Sequence, residues 1–113
     1  MKVKTSELTE KALDWAVAKA IGQKVDDDGD NGFLWLREGA EWELWNPSYD
    51  WEQCGPLIEK FHVDVNYFKD GDCVAQPYGS PKYMDHIDPK IAICRAVVAS
   101  VLGDEIELPE GLQ

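Results

Sequence analysis

Basic residues are scarce in this chain. Its 113 residues include 11 lysines and arginines against 22 aspartates and glutamates, which gives a net charge of -11. Proteins that bind nucleic acids rely on cationic side chains that displace counterions from phosphates, so direct binding to DNA or RNA is not expected. All of the excess acid lies in residues 25–113, which carry 19 acidic and 6 basic residues, whereas residues 1–24 carry five lysines and three acids. Such a surface keeps a protein soluble, attracts a basic partner, or imitates a nucleic acid.

Long apolar runs and paired cysteines are also missing. The most apolar stretch, IAICRAVVASVL, is much shorter than the roughly 20 residues that cross a membrane, and it contains Arg95. The first residues, MKVKTSELTEK, include no apolar targeting segment. The three cysteines are odd in number and lack CxxC spacing, as expected of reduced thiols. We therefore predict a cytoplasmic protein that does not contact a membrane.

No catalytic or cofactor motif is visible. Cys54, His62, Cys73 and His86 lack the short paired spacings that zinc sites use, and no glycine-rich phosphate loop is present. Cys54 could act as a nucleophile with either histidine as base, since a thiolate at a helix start has a lowered pKa. A small buried thiol is the simpler interpretation. We predict a non-enzymatic protein without a cofactor.

The acidic stretch DDDGDNGFLWLRE, residues 26–38, partly resembles a calcium loop. Asp27, Asn31 and Glu38 occupy the first, fifth and last positions of the 12-residue pattern. Gly29 stands where the third ligand belongs, and FLWLRE has the pattern of a strand instead of the exit helix. A solvated acidic loop is therefore the favoured interpretation, with a weak calcium site as the alternative.

Three helices are predicted from capping residues and apolar spacing. Thr9 precedes the first and Gly22 ends it. A capping box of Asp50 and Gln53 starts the second, which Pro56 should distort. An Asp-Pro pair starts the third, which carries an apolar stripe. The predicted ranges are 10–21, 50–61 and 89–102.

Two hairpins are predicted from alternating apolar residues around turn signals. Their strands span 33–37 with 41–45, and 63–67 with 73–76, while 77–88 is predicted to be a loop. The order α-β-β-α-β-β-α then predicts an α+β fold. It consists of one four-stranded, mainly antiparallel sheet covered by three helices, an α-β-α sandwich.

Three stretches resemble, in the same order, signature blocks of the NinX-like family of small tailed-phage and prophage proteins. They are ALDWAVAKAIG, NPSYDWEQCGPLIEK and ICRAVVASVLGDEIELPE. That family is itself similar to the phage ABA-sandwich domain group. The resemblance covers most of the chain, although residues 23–45 match no block. It implies an α-β-α sandwich forming one domain over residues 1–113, a phage or prophage origin, and no known activity.

The central block carries the most specific part of this resemblance. The family pattern runs Pro-Ser-Thr-Asp-Trp, Gln, Gly-Gly-Pro and Ile/Leu-Ile-Glu. Tyr49 and Cys54 depart from it, because the family usually has Thr and Gly at these two positions. The matching positions are Pro47, Ser48, Asp50, Trp51, Gln53, Gly55, Pro56, Leu57, Ile58 and Glu59.

The same block supplies the candidate recognition site. An aromatic ring beside polar groups and unpaired helix N–H donors suits a planar or anionic ligand. The alternative is structural, with Ser48 and Asp50 as caps, Trp51 in the core and Gln53 closing the capping box. The candidate residues here are Ser48, Tyr49, Asp50, Trp51 and Gln53.

Arg95 and Trp15 are further candidates for binding. Arg95 lies beside the apolar stripe of the third helix, so it is expected to form an ion pair with Asp14 or Asp50, or to hold an anionic ligand group. Trp15 is predicted on the outer face of the first helix. It would be covered by the segment around Ile106 and Leu108, by a second subunit in a homodimer, or by a host protein.

Together these features predict a phage-encoded accessory protein in the cytoplasm of the host cell. Its expected role is an acidic protein-interaction module whose partner is a host or phage protein. The alternative is a protein that sequesters a nucleotide-like small molecule and so counters host defence. In that case aromatic rings would stack on the base, and Arg95 or helix N–H groups would hold the phosphate.

Overall fold

A computed structural model of the protein describes residues 2–27, 33–37, 41–109 and 111–112. The helices are α1 (Glu10–Ile21), α2 (Trp51–Phe61) and α3 (Pro89–Leu102), preceded by a short 3-10 turn at Thr5–Glu7. The strands are β1 (Lys2–Lys4), β2 (Asp26–Asp27), β3 (Phe33–Arg37), β4 (Glu41–Trp45), β5 (Val63–Tyr67), β6 (Cys73–Pro77), β7 (Met84–His86) and β8 (Glu105–Glu107).

The helix bounds follow from local signals, as predicted. α1 ends at Gly22, which adopts a left-handed φ of 74° that glycine tolerates without strain. Thr9 occupies the N-cap position of α1, but its side chain makes no capping hydrogen bond. Asp88 caps α3, where its Oδ1 accepts from Lys90 N at 2.9 Å. α2 continues through Pro56 to its expected end.

The strands form three antiparallel sheets. Both predicted hairpins are present, with Phe33 opposite Trp45 in β3–β4 and Tyr67 opposite Cys73 in β5–β6. Each hairpin gains a third strand, in the orders β2-β3-β4 and β5-β6-β7, and β1 pairs with β8. A single four-stranded sheet is not shown among the described residues. The turn predicted at 38–40 lies outside them.

Part of the predicted loop at 77–88 is a strand. β7 pairs with β6, and Cys73 lies opposite His86. The prediction was wrong here because Gly79, Pro81 and their neighbours have loop composition, and the three residues of β7 carry too little pattern to indicate that they pair with the preceding strand β6.

Helix α3 forms the centre of the fold. It packs against α1 and α2 and against β6 and β7 of the third sheet. Residues 92–99 are all buried, so this part of α3 is covered by the rest of the protein on every side, and not only along the predicted apolar stripe. Val101, which belonged to the predicted stripe, is exposed. No helix in the described part of the chain is both long and apolar enough to cross a membrane.

Candidate functional site

The segment between β4 and α2 forms a tight turn over residues 46–50. The carbonyl oxygen of Asn46 accepts hydrogen bonds from the backbone N–H groups of Tyr49 and Asp50, both at 2.9 Å. Asp50 then caps α2, because its Oδ1 accepts from Glu52 N at 2.9 Å. The turn is therefore fixed both at its start and at its exit into the helix.

Gln53 ties this turn back to β4. Its Oε1 accepts from Asn46 N at 2.7 Å, and its Nε2 donates to the carbonyl oxygen of Leu44 at 2.6 Å. The predicted capping box is therefore wrong in one respect, since Gln53 does not turn back to Asp50. The N–H of Asp50 already donates to Asn46, which leaves the Gln53 amide to bridge helix and strand.

Replacing Gln53 by alanine is expected to lower the free energy of unfolding by roughly 1–2 kcal/mol, because two hydrogen bonds are lost. Hydrogen exchange at the Asn46 amide should also become faster. Urea unfolding and exchange measured by NMR would show both effects. The control is Gln76→Ala, which removes one exposed bond to Ser80 O and should cost less than about 0.5 kcal/mol. Equal losses in the two variants would contradict the bridging role.

Asp14 connects α1 to the same turn. Its Oδ1 accepts from Ser48 N at 2.9 Å, and its carbonyl oxygen accepts from Trp45 Nε1 at 2.8 Å. The residue is only 5% exposed. Helix α1, strand β4 and the turn therefore meet at Asp14, the turn through its buried carboxyl group and β4 through its main-chain carbonyl.

Burial makes this carboxyl group hard to ionise. Removal from water raises the pKa of Asp14 from 3.8 to about 6, and the nearby Glu10 carboxylate adds to the increase. Hydrogen bonds from the backbone and hydroxyl of Ser48 act in the opposite direction. Above pH 6, Asp14 is therefore a buried carboxylate whose partner is Ser48, and no cation neutralises it among the described residues.

Asp14 lies in the wall of a cavity of about 500 Å³, which we call the Asp14 cavity. This volume is within the range of about 300–1,000 Å³ that is common for ligand sites. α1, β3, β4, the turn and the start of α3 contribute to its wall. The described residues that line it are Thr9, Glu10, Lys11, Asp14, Phe33, Leu44, Trp45, Asn46, Ser48, Tyr49, Asp88 and Ile91.

A shallower groove of about 440 Å³ adjoins this cavity, and we call it the turn groove. Tyr49 is 79% exposed and Trp51 is 47% exposed, so both rings present apolar surface to solvent here. The two concavities share three residues and thus form one continuous surface. The described residues that line the groove are Glu43, Leu44, Asn46, Tyr49, Asp50, Trp51, Glu52 and Gln53.

Trp51 does not fill the core, contrary to the structural alternative. The Nζ atom of Lys90 lies 5.1 Å from the centre of its ring, a distance suited to a cation–π contact. The same ammonium group lies 3.3 Å from Asp88 Oδ1. This contact covers part of the Trp51 ring and leaves the rest accessible.

Arg95 lies apart from this surface and lines neither concavity. It is 8% exposed, and its Nε donates to the carbonyl oxygen of Leu8 at 2.8 Å. In the described part of the chain it forms no ion pair with Asp14 or Asp50, so that prediction was wrong. Asp14 is instead held by Ser48, and Asp50 caps α2. Burial lowers the pKa of Arg95, against the influence of Asp85.

Trp15 is half-buried and packs against the core, so it is less exposed than its predicted position on the outer face suggested. The Nζ atom of Lys19 lies 5.5 Å from its ring. Ile106 and Leu108 are themselves buried in the core. Trp15 lines neither the Asp14 cavity nor the turn groove.

The three cysteines are free and buried. The pKa of Cys94 is raised well above its ordinary value of 9. The larger cause is a hydrogen bond with Cys54, and the second is burial. The Sγ atom of Cys54 also lies 3.9 Å from Lys90 O. Cys54 thus lies in the core, as the buried-thiol interpretation expects.

Two of the three candidate calcium ligands lie outside the described residues. Asp27 ends β2, whereas Asn31 and Glu38 lie outside the described residues. Within the residues that are described, no group of three or more histidine, cysteine or acidic side chains could hold a metal ion.

A comparison with protein families matches residues 4–101 to the family described as Bacteriophage P22, NinX. The chain belongs to the NinX family. Membership supports a phage accessory protein, as the resemblance predicted. No curated protein matches the chain. The segment matched to NinX includes α1, the turn and most of α3, and therefore every described residue of both concavities.

The importance of Asp14 in this NinX chain was missed, although the residue had been considered as a partner for Arg95. One signal was available in the sequence. Asp14 is an acid within the largely apolar run ALDWAVAKAI, next to Leu13 on the buried face of α1. An acid in such a position must be hydrogen-bonded or neutralised, which marks it for attention.

Proposed function

We propose that the protein is a non-enzymatic phage accessory protein that acts in the host cytoplasm as an acidic protein-interaction module. The observation that carries the proposal is the turn groove, where Tyr49 on the turn and Trp51 at the start of α2 are exposed, and where backbone and side-chain hydrogen bonds hold the turn in place. Exposed aromatic rings on a rigid segment are typical of binding surfaces, because little conformational entropy is lost when a partner covers them.

Charge around the groove defines the chemistry of the partner. Glu43, Asp50 and Glu52 contribute carboxylates to its wall, and the chain as a whole has a net charge of -11. Such a field attracts a basic surface and accelerates its association at low salt. The partner is therefore a host or phage protein with a basic patch. Trp15 remains a proposed contact for a second copy of the chain.

Sequestration of a nucleotide-like molecule is the second candidate. The volume of the Asp14 cavity and the ring of Phe33 in its wall favour a small planar ligand. Three carboxyl groups in the same wall, those of Glu10, Asp14 and Asp88, oppose the phosphate of a nucleotide. Arg95, which was expected to hold that phosphate, does not line the cavity. The protein-interaction module is therefore the better supported function.

Capture from lysates of uninfected and phage-infected cells tests this function. The immobilised proteins would be the wild type, a Tyr49→Ala, Trp51→Ala double variant, and Tyr78→Ala, which removes a ring that is 83% exposed outside both concavities. We expect one protein to be retained by the wild type and the control but lost by the double variant. Its association rate should fall at least about tenfold between about 50 and 500 mM salt.

Two outcomes would contradict the proposal. A protein retained equally by the double variant would show that the groove is not the contact surface, and a salt-insensitive association rate would exclude steering by the acidic field. A nucleotide released from the wild type by heating, with no retained protein, would favour sequestration instead.

A further inference from the structure

We propose that the Asp14 cavity is a subsite for a cationic side chain, an arginine in the basic segment of the protein partner. The inference deepens the proposed function and rests on it, since the cavity opens beside the groove that the partner would cover. The cavity and the turn groove share Leu44, Asn46 and Tyr49, so a segment lying in the groove passes the mouth of the cavity.

The first support is the carboxylate in the cavity wall. Asp14 is nineteen-twentieths buried, and its carboxyl receives hydrogen bonds from Ser48 alone within the described structure. A buried carboxylate without a cationic partner is costly, and an arriving guanidinium would supply both the missing charge and further N–H donors. Binding of a cation would therefore give the Asp14 carboxylate the opposite charge and the hydrogen-bond donors that the folded protein alone does not provide.

The charge of the other residues in the cavity wall also favours a cationic ligand. Glu10 and Asp88 add two carboxyl groups, of which Asp88 is paired with Lys90 at 3.3 Å, and Lys11 supplies the one cation of the described wall. The Nζ atom of Lys11 lies 5.1 Å from the ring of Phe33, which shows that a cation can rest against an aromatic wall of this cavity. The net charge of the wall disfavours an anionic group and favours a positive one.

Arginine suits these walls better than lysine. Its planar guanidinium is weakly hydrated, can stack on an aromatic ring and can donate to a carboxylate through two N–H groups. Tyr49, at the junction of the cavity and the groove, presents a ring for such stacking. The carboxylate of Asp14 provides the acceptor for the N–H groups of the guanidinium.

The test is an NMR titration at pH 7.5 with the peptide acetyl-Gly-Arg-Gly-amide. Its matched probe contains citrulline, which has the same shape as arginine without the charge. Two signals report on the site. The backbone amide of Ser48 donates to the Asp14 carboxylate, and the indole N–H of Trp45, in the cavity wall, donates to the main-chain carbonyl of Asp14. We expect the arginine peptide to shift both signals and to saturate at millimolar concentrations, about the range for a single anchored side chain.

The citrulline peptide should bind at least about tenfold more weakly, a difference of about 1.4 kcal/mol. Asp14→Asn should weaken binding of the arginine peptide by a similar factor, because asparagine preserves the shape of the side chain and removes its charge. Asp64→Asn, which removes one exposed charge on β5, should bind like the wild type. Unshifted signals, equal binding of the two peptides, or undiminished binding by Asp14→Asn would each overturn the proposal.

The peptide titration tests the arginine subsite, and the lysate capture tests the interaction module, so a negative result in one can be distinguished from a negative result in the other. Loss of peptide binding together with capture that still depends on Tyr49 and Trp51 would overturn the arginine subsite and leave the interaction module supported. Peptide binding without any captured protein would support the cationic subsite and count against the module.

Discussion

Trp45→Ala is expected to lower the free energy of unfolding by about 3–5 kcal/mol, the usual range for truncation of a large buried aromatic side chain. Trp45 is 4% exposed, and its indole N–H donates to the carbonyl oxygen of Asp14. The substitution removes the packing of this ring in the hydrophobic core and its hydrogen bond to α1. Chemical denaturation followed by far-UV circular dichroism would measure the loss.

Trp51→Ala is the matched control, since it makes the same chemical change at a half-exposed ring in the turn groove. Its expected cost is about 1 kcal/mol or less, and the protein should remain folded at 25 °C. Comparable losses for the two variants would contradict the positions assigned to the two rings. Unfolding by Trp51→Ala alone would support the structural interpretation of this tryptophan and count against its role in recognition.

Asp14→Asn is expected to stabilise the protein at pH 8 by about 1–3 kcal/mol. The pKa of Asp14 is about 6 in the fold and has an ordinary value of 3.8. The folded state therefore binds the proton more tightly than the unfolded chain, and this group's contribution to stability falls as the pH rises from about 4 to about 6. The increase in pKa from 3.8 to about 6 corresponds to about 3 kcal/mol of stability that is lost once Asp14 is fully ionised. Asparagine still accepts from Ser48 N and carries no charge.

The difference in free energy of unfolding between Asp14→Asn and the wild type should thus be small at pH 4 and reach its maximum above pH 6. Denaturation curves at about one-unit intervals between pH 4 and pH 8 would measure it. Asp64→Asn corrects for the general effect of removing one negative charge from an acidic protein. A destabilised Asp14→Asn protein at pH 8, or a difference that does not change with pH, would contradict the burial of an ionised carboxylate.

Local signals were sufficient for the helices and hairpins of this fold. Gly22 and Asp88 mark helix ends through their own backbone and side-chain chemistry, and alternation in VDVNY marks a strand. The short strands could not be predicted in this way. β1 and β8 pair Lys2 with Glu107, across nearly the whole chain, and three residues carry too little pattern to indicate such a partner.

The candidate site was only partly predictable for a similar reason. The Asp50 cap depends on residues two positions apart, and it was predicted correctly. Gln53 has the right spacing for a capping box, but the fold places Leu44 O and Asn46 N within reach of its amide, and these bonds are made instead. Arg95 bonds to a carbonyl 87 residues away in sequence, which no spacing rule could indicate.

Both the pH-dependent stability and the cationic subsite depend on Asp14. The most direct measurement is a pH titration of its carboxyl carbon by carbon-13 NMR, with the signal assigned by comparison with Asp14→Asn. A midpoint near pH 6, accompanied by a parallel change in the Ser48 amide signal, is the predicted result. A midpoint at or below the ordinary value of 3.8, with the Ser48 amide unaffected, would show that Asp14 is solvated or neutralised by a cation. It would remove the basis of both inferences.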